Sequence, residues 1–234
     1  MKPKGSLLAM IEANSAPVGM QCFTGDHTLM EVLGRTGFDY VWLDSEHSVV
    51  NPRALEDSIR TADVAGLISL VRIPEPDDTT AARRALEAGA DGLILPMVRS
   101  AADIREILDA LENIEEICAL PEIRLLCFAA GELAFALGEG SAIHSSSKVR
   151  AAHQRVKQAA ARHGVALMGG PILDPTPESC ARAIEDGIRV FCLGIDVMAF
   201  RGVCERTVKA LDTAVAGTDL TRPAAPPSGF PDQF

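Results

Sequence analysis

The sequence contains no block of lysine or arginine; 22 basic residues stand against 32 acidic ones, a formal net charge of −10. A nucleic-acid footprint needs a basic face, so DNA and RNA are excluded as partners. Long hydrophobic runs are also missing. The longest, such as GLILPMV at 92–98, are far too short to cross a bilayer, and no membrane partner is expected. No two cysteines are spaced CxxC. Cys22, Cys118, Cys127, Cys180, Cys192 and Cys204 lie mostly in apolar runs and read as buried, reduced thiols. Neither a G-x-G-x-x-G after the first strand-like run nor a Walker A motif occurs, so a nucleotide site has no support. The opening MKPK leads into a brief apolar stretch at 5–11, shorter than a secretory signal, and a cytoplasmic location is expected.

What is present is a large apolar content, 47% of 234 residues, enough for a substantial core and too much for a disordered chain. An alternation recurs along it. An Ala/Leu-rich amphipathic stretch ends at Gly or Asp, and a short run of Val, Ile and Leu follows, as at 31–44, 84–96 and 180–194. Glycine at a helix end followed by a fully apolar strand is the second half of a βαβ unit. Strands apolar on both faces belong to parallel sheets covered by helices. Seven such strands are predicted, at 18–23, 40–44, 68–72, 92–96, 124–128, 165–168 and 189–194. The fold class is therefore α/β, and the architecture a TIM-type (β/α) barrel, although a closed barrel of that type needs eight strands. The deficit falls near residues 100–123, where apolar residues recur at helical spacing (Ile104, Ile107, Leu108, Leu111) and no strand can be read. Residues 1–216 are expected to form a single barrel domain. Residues 217–234, with four prolines and no periodicity, read as a tail.

In parallel α/β folds the reactive groups stand just past the carboxyl ends of strands. After 40–44 the chain reads Asp44-Ser45-Glu46-His47, three ionisable groups and a serine within four residues. A histidine beside carboxylates is suited to general-base work, because a hydrogen bond to one of them fixes its tautomer. The alternative is a solvated surface loop. Arg72 ends the next strand, where its guanidinium either clamps a carboxylate or enolate oxygen or forms a structural ion pair. Beyond 124–128 lie Gly131 and Glu132, and Glu132 is a single candidate oxygen ligand for a divalent cation. His27, His144, His153 and His163 show no metal-ligand spacing and read as ordinary.

The run Gly37-Phe38-Asp39-Tyr40-Val41-Trp42-Leu43-Asp44-Ser45-Glu46-His47 resembles the G-F-D-hydrophobic-D-x-E-H signature of the HpcH/HpaI aldolases. Leu70-Val71-Arg72-Ile73-Pro74, the segment from Ala85 to Val98, and Leu193-Gly194-Ile195-Asp196 resemble further motifs of that family in the same order. The resemblance extends from about residue 7 to 211. It implies a class II, Mg²⁺- or Mn²⁺-dependent carbon–carbon lyase that acts beside the carbonyl of a 2-oxo acid such as pyruvate. Carried over residue by residue, it implies His47 as the base, oriented by Asp44, and Arg72 as the group that steadies the enolate oxygen. Glu87 takes the place of an aspartate that tunes the base. Gly131 and Glu132 fall at the substrate and metal segment, and Glu106 at the remaining metal-ligand position. The departures lie in the metal motifs. Glu132 replaces an aspartate, Ile104 stands where the family has glutamine, and about 40 residues around the fifth strand have no counterpart.

Three activities are compatible with these residues. The first is an aldehyde-lyase (aldolase) reaction. The second is a related condensation of the kind run by siderophore-type citrate synthases, with oxaloacetate and acetyl-CoA. The third is a non-catalytic, metal-free relative. The resemblance also implies a homo-oligomer, a hexamer or trimer of dimers, with the amphipathic stretch 203–215 as an exchanged helix.

Overall fold

The computed structural model describes residues 6–48, 51–96, 111–121, 123–140 and 145–218. Among the described residues, seven strands alternate with helices. In chain order these are α1 (Leu7–Glu12), β1 (Val18–Cys22), α2 (His27–Thr36), β2 (Tyr40–Asp44), α3 (Pro52–Ala65), β3 (Ile68–Arg72), α4 (Thr79–Glu87) and β4 (Gly92–Ile94). The second half holds α5 (Ile114–Ala119), β5 (Leu125–Phe128), α6 (Ala130–Ala136), α7 (Ser147–His163), β6 (Ala166–Gly169), α8 (Pro177–Glu185), β7 (Ile188–Ile195) and α9 (Asp196–Val215). All seven expected strands are there, with ends moved by at most two residues. The helix read across 100–123 is represented by α5, and residues 97–110 lie outside the described residues.

Local chemistry sets the helix boundaries. The Asn51 side chain accepts the Ala54 N–H at the start of α3, Pro52 follows at the first turn, and Gly66 ends the helix at φ 75°. Glycine adopts that left-handed conformation without the steric cost a Cβ would bring. Ser6, Asp26, Asp78, Ser146 and Thr176 cap α1, α2, α4, α7 and α8 in the same manner.

The strands form one parallel sheet in the order β4-β3-β2-β1-β7-β6-β5. Among the described residues the sheet has seven strands and none joins β4 to β5. Two helix-covered cores lie on the outer face. One gathers Met30, Leu33, Val41, Leu43, Ile59 and Val71 against α2, α3 and α4. The other gathers Ile114, Val156, Ala159, Leu167 and Ile188 against α5 and α7. The inner face holds a third cluster drawn from strands far apart in the order: Tyr40 and Trp42, Ile68 and Leu70, Met168, Val190 and Cys192. Leu7, Met10 and Ile11 of α1 pack beneath it.

Register stacks the inner residues in layers, because alternate side chains of a strand face the same side. Gly19, Tyr40 and Ile68 share one level; Gln21, Trp42, Leu70 and Gly92 the next; Asp44, Arg72 and Ile94 the topmost. Tyr40 lies across the space that Gly19 leaves open, where a Cβ would stand 2.3 Å from its ring, and its hydroxyl donates to the Phe191 carbonyl at 2.9 Å.

The expected buried thiols are found at Cys22, Cys118 and Cys192, whereas Cys127 and Cys204 are exposed; all six cysteines are free. Burial pushes the Cys192 thiol up to about 12 and the Cys22 thiol higher still, which removes both as nucleophiles at neutral pH. Among the described residues no helix is long and apolar enough to cross a membrane. Of the expected tail, residues 219–234 lie outside the described residues.

Candidate active site

The topmost inner layer is charged. Asp44 and Arg72 occupy paired positions at the carboxyl ends of β2 and β3, and the Arg72 Nη2 donates to Asp44 Oδ2. Gln21 Nε2, from β1, donates to the same carboxylate oxygen at 2.8 Å. Asp44 Oδ1 accepts the backbone N–H groups of Glu46 at 2.9 Å and His47 at 2.7 Å, which wraps the loop after β2 around the carboxylate. Ser45 strengthens the turn, its backbone N–H donating to the Arg72 carbonyl at 3.0 Å and its hydroxyl at 2.5 Å. Arg72 Nη1 lies 3.1 Å from Glu46 Oε2, so both terminal guanidinium nitrogens are engaged. The guanidinium also sits 5.2 Å from the centre of the Trp42 ring, within cation–π range. The structural ion pair expected as one reading of Arg72 is therefore present. The side chain stands at the mouth of the inner face.

The structure brings together His47, Asp44 and Arg72 and adjusts how they relate. Asp44 is fully buried and holds the backbone of His47, not its ring. Glu46 is the carboxylate nearest the imidazole, with its Oε2 3.7 Å from His47 Nε2. The His47 side chain is 61% exposed, which leaves it open to a ligand arriving from solvent. Glu87 does not join them. It lies in the last turn of α4, which leads into the amino end of β4, opposite the end that bears Arg72. There its exposed carboxylate pairs with Arg83 one turn back, at 3.0 Å. Gly131 and Glu132 begin α6 just past β5, at the same end of the sheet as Arg72. The side chain of Glu132 and all of Glu106 lie outside the described residues.

Three residues around this layer carry no role in the sequence reading. Gln21 is a polar residue in an apolar strand, and that mismatch was its signal. Glu46 was visible only as one charge among three. Asp196, at the start of α9, accepts the N–H groups of Phe23 and Thr24, each at 3.0 Å, and the Thr24 hydroxyl at 2.5 Å, tying the ends of β1 and β7 together.

A divalent cation needs several free oxygen ligands. Among the described residues no group of three or more Asp, Glu, His or Cys is placed to hold one. The carboxylates present are already engaged: Asp44 with Gln21, Arg72 and two N–H groups, Asp196 with four donors from Phe23, Thr24 and Val197, and Glu46 with Arg72. The described residues do not by themselves fit a metal.

Residues 19–112 match the family model described as HpcH/HpaI aldolase/citrate lyase. The chain is 22% identical to 2-dehydro-3,6-dideoxy-6-sulfogluconate aldolase of Pseudomonas putida, over 86% of this chain and 95% of that protein. That alignment runs over 248 positions and uses about 201 residues here (86% of 234), so about 47 positions have no counterpart in this chain. It is 28% identical to hydroxypyruvate/pyruvate aldolase of Agrobacterium fabrum over 47% of this chain, a match that spans 41% of that enzyme. In fold it is similar to the HpcH/HpaI aldolase of Desulfitobacterium hafniense, with a TM-score of 0.77 at 22% identity, covering 93% of this chain and 99% of that one. Citrate synthase SbnG superposes with a TM-score of 0.74 at 22% identity, over 92% and 99%. The citrate lyase beta subunit of M. tuberculosis, solved with oxaloacetate and magnesium, gives 0.56 at 21%, over 79% and 93%. The family match stops at residue 112, between β4 and β5, where the strand order also breaks.

Proposed function

We propose, for a chain that these matches make a relative of the HpcH/HpaI aldolases, that it is a carbon–carbon lyase acting on a 4-hydroxy-2-oxo acid. The observation that carries the reading is the buried Arg72 at the end of β3, held by Asp44 and Glu46, with exposed His47 on the adjoining loop. Cleavage needs a proton taken from the 4-hydroxyl while negative charge develops on the departing enolate. His47 takes that proton. The C3–C4 bond breaks, the aldehyde leaves, and the electron pair passes into the enolate, whose oxygen lies against the Arg72 guanidinium. Return of a proton to C3 releases pyruvate. Asp44 and Gln21 act on Arg72, not on substrate: they hold the guanidinium at one angle so that little reorganisation accompanies the charge shift.

Asp44, Glu46 and Arg72 together carry one negative charge, so an anionic substrate needs positive compensation. In relatives solved with magnesium a divalent cation is present. In this chain Glu106 and Glu132 are the residues proposed to hold Mg²⁺ or Mn²⁺, and no catalytic step above depends on it. The 20-residue α9, with Phe200, Val203 and Leu211 exposed, supports a homo-oligomer built through that helix. A monomer in sedimentation at micromolar concentration rejects that assembly.

The test is release of pyruvate from a panel of 4-hydroxy-2-oxo acids, with and without added Mg²⁺ or Mn²⁺. Turnover by the native chain and its loss in His47→Ala support the reading. Turnover only with oxaloacetate and acetyl-CoA reassigns the site to a citrate synthase-type condensation, and an unchanged rate in His47→Ala removes the base.

A further inference from the structure

Directly beneath the Asp44–Arg72 layer sits the single tryptophan of the chain. Trp42 is 5% exposed and belongs to the inner cluster with Tyr40, Leu70, Met168 and Val190. Its indole N–H is buried and meets no acceptor among the described residues. Arg72 Nε, in the layer above, is likewise buried with no acceptor, since the bonds of that guanidinium run through its two terminal nitrogens. An unpaired buried donor is uncommon and forfeits the hydrogen bond it had with water. Here two belong to side chains in cation–π contact, on the inner face, at the end of the sheet where substrate enters.

The geometry points to Trp42 as a substrate-binding residue: its indole N–H and Arg72 Nε together receive the adjacent oxygens of a 2-oxo acid, the carboxylate and the C2 carbonyl. The inference deepens the lyase reading and rests on it. A 2-oxo acid presents two acceptors side by side, the pattern that two neighbouring N–H donors match. The indole donor is neutral, so it orients the carboxylate and leaves its charge to be compensated by other groups. Phenylalanine at this position would fill nearly the same apolar space and leave one acceptor of the substrate unpaired.

The uniqueness of Trp42 supplies the probe, because all indole fluorescence of the chain comes from this ring. The purified full-length protein is titrated with pyruvate and with oxalate, a planar anion carrying the same adjacent oxygens. A saturable change in intensity or emission maximum is expected. Trp42→Phe, titrated by calorimetry, is expected to bind oxalate about tenfold or more weakly, the loss of one hydrogen bond to a charged acceptor. Its KM should rise by a similar factor with kcat within about threefold, and the packing lost from the inner cluster shows separately as a lowered thermal midpoint. A purely structural role predicts a lowered midpoint with unchanged affinity, and that result overturns the proposal. Should the native chain release pyruvate while saturating oxalate leaves its fluorescence unchanged, the Trp42 contact is refuted and the lyase reading stands. Saturable oxalate binding that weakens in Trp42→Phe, in a protein that turns over no 2-oxo acid, upholds the contact and removes the lyase reading. The native-protein titration does not depend on whether the variant folds.

Discussion

Asp44→Ala is the perturbation that most directly tests how the charged layer is held. The substitution leaves Arg72 buried with Glu46 as its remaining counter-charge and strips Gln21 Nε2 of its acceptor. Removing one partner of a buried ion pair costs about 3–5 kcal/mol, and the surviving Glu46 contact argues for about 3. The stranded buried amide of Gln21 adds about 1 kcal/mol. The N–H groups of Glu46 and His47 contribute little, because their loop reaches solvent. The expected loss is about 4 kcal/mol, a large part of the 5–15 kcal/mol that holds a typical domain together. With a urea m-value of about 3 kcal/mol/M, the unfolding midpoint should fall by about 1.3 M. Far-ultraviolet circular dichroism and the Trp42 emission should report the same transition. The double variant Asp44→Leu/Arg72→Met supplies the control. Replacing both charges by apolar groups removes the stranded cation but leaves Gln21 without Asp44 and Glu46 without Arg72, so it should restore part of the lost stability and abolish activity. A shift below 0.3 M for Asp44→Ala (about 1 kcal/mol by the same slope), or a double variant no more stable than the single, would refute the view that Asp44 neutralises a buried cation.

Arg72→Lys keeps the charge but cannot bridge Asp44 and Glu46 with a planar fork, so kcat/KM should fall by about 100-fold or more; a drop under threefold removes Arg72 from the mechanism. Gly19→Ala places a methyl 2.3 Å from the Tyr40 ring and should cost about 1–3 kcal/mol by urea titration, with a change below 0.5 contradicting the layer packing. Burial holds the His153 imidazole below its usual value of 6.5, with the Lys157 charge adding to the effect and Asp186 opposing it. The unfolded chain therefore takes up the proton first as pH falls through 6.5, so stability declines from there downward. His153→Phe should flatten the urea midpoint against pH between 7 and 5, and an unchanged slope excludes His153 as the cause.

Much of the fold was legible because parallel strands buried on both faces are written as unbroken apolar runs. Tyr40–Asp44 and Ile68–Arg72 were readable to the residue, since Gly37 and Gly66 mark the helix ends before them and the first charged side chains of the runs mark their far ends. Glu87 shows where linear order misleads. Its spacing from the strand is right, but the helix phase directs its side chain to solvent, and only helix packing determines that phase. Trp42 likewise reads as one more apolar residue in β2. That its N–H meets no acceptor depends on which atoms of β3, β6 and β7 surround it.

By itself, the amino-acid sequence determined the α/β class, the seven strands, and the presence of a histidine and a cation at strand ends. These follow from periodicity and from where charge interrupts an apolar run, both local properties of the chain. The tertiary structure alone decided that Asp44 grips the His47 backbone rather than its ring, and that Glu46 and Gln21 complete the Arg72 cluster. The Arg72 cluster pairs residues of β1, β2, β3 and the loop after β2, and the register that aligns them exists only after the sheet has formed.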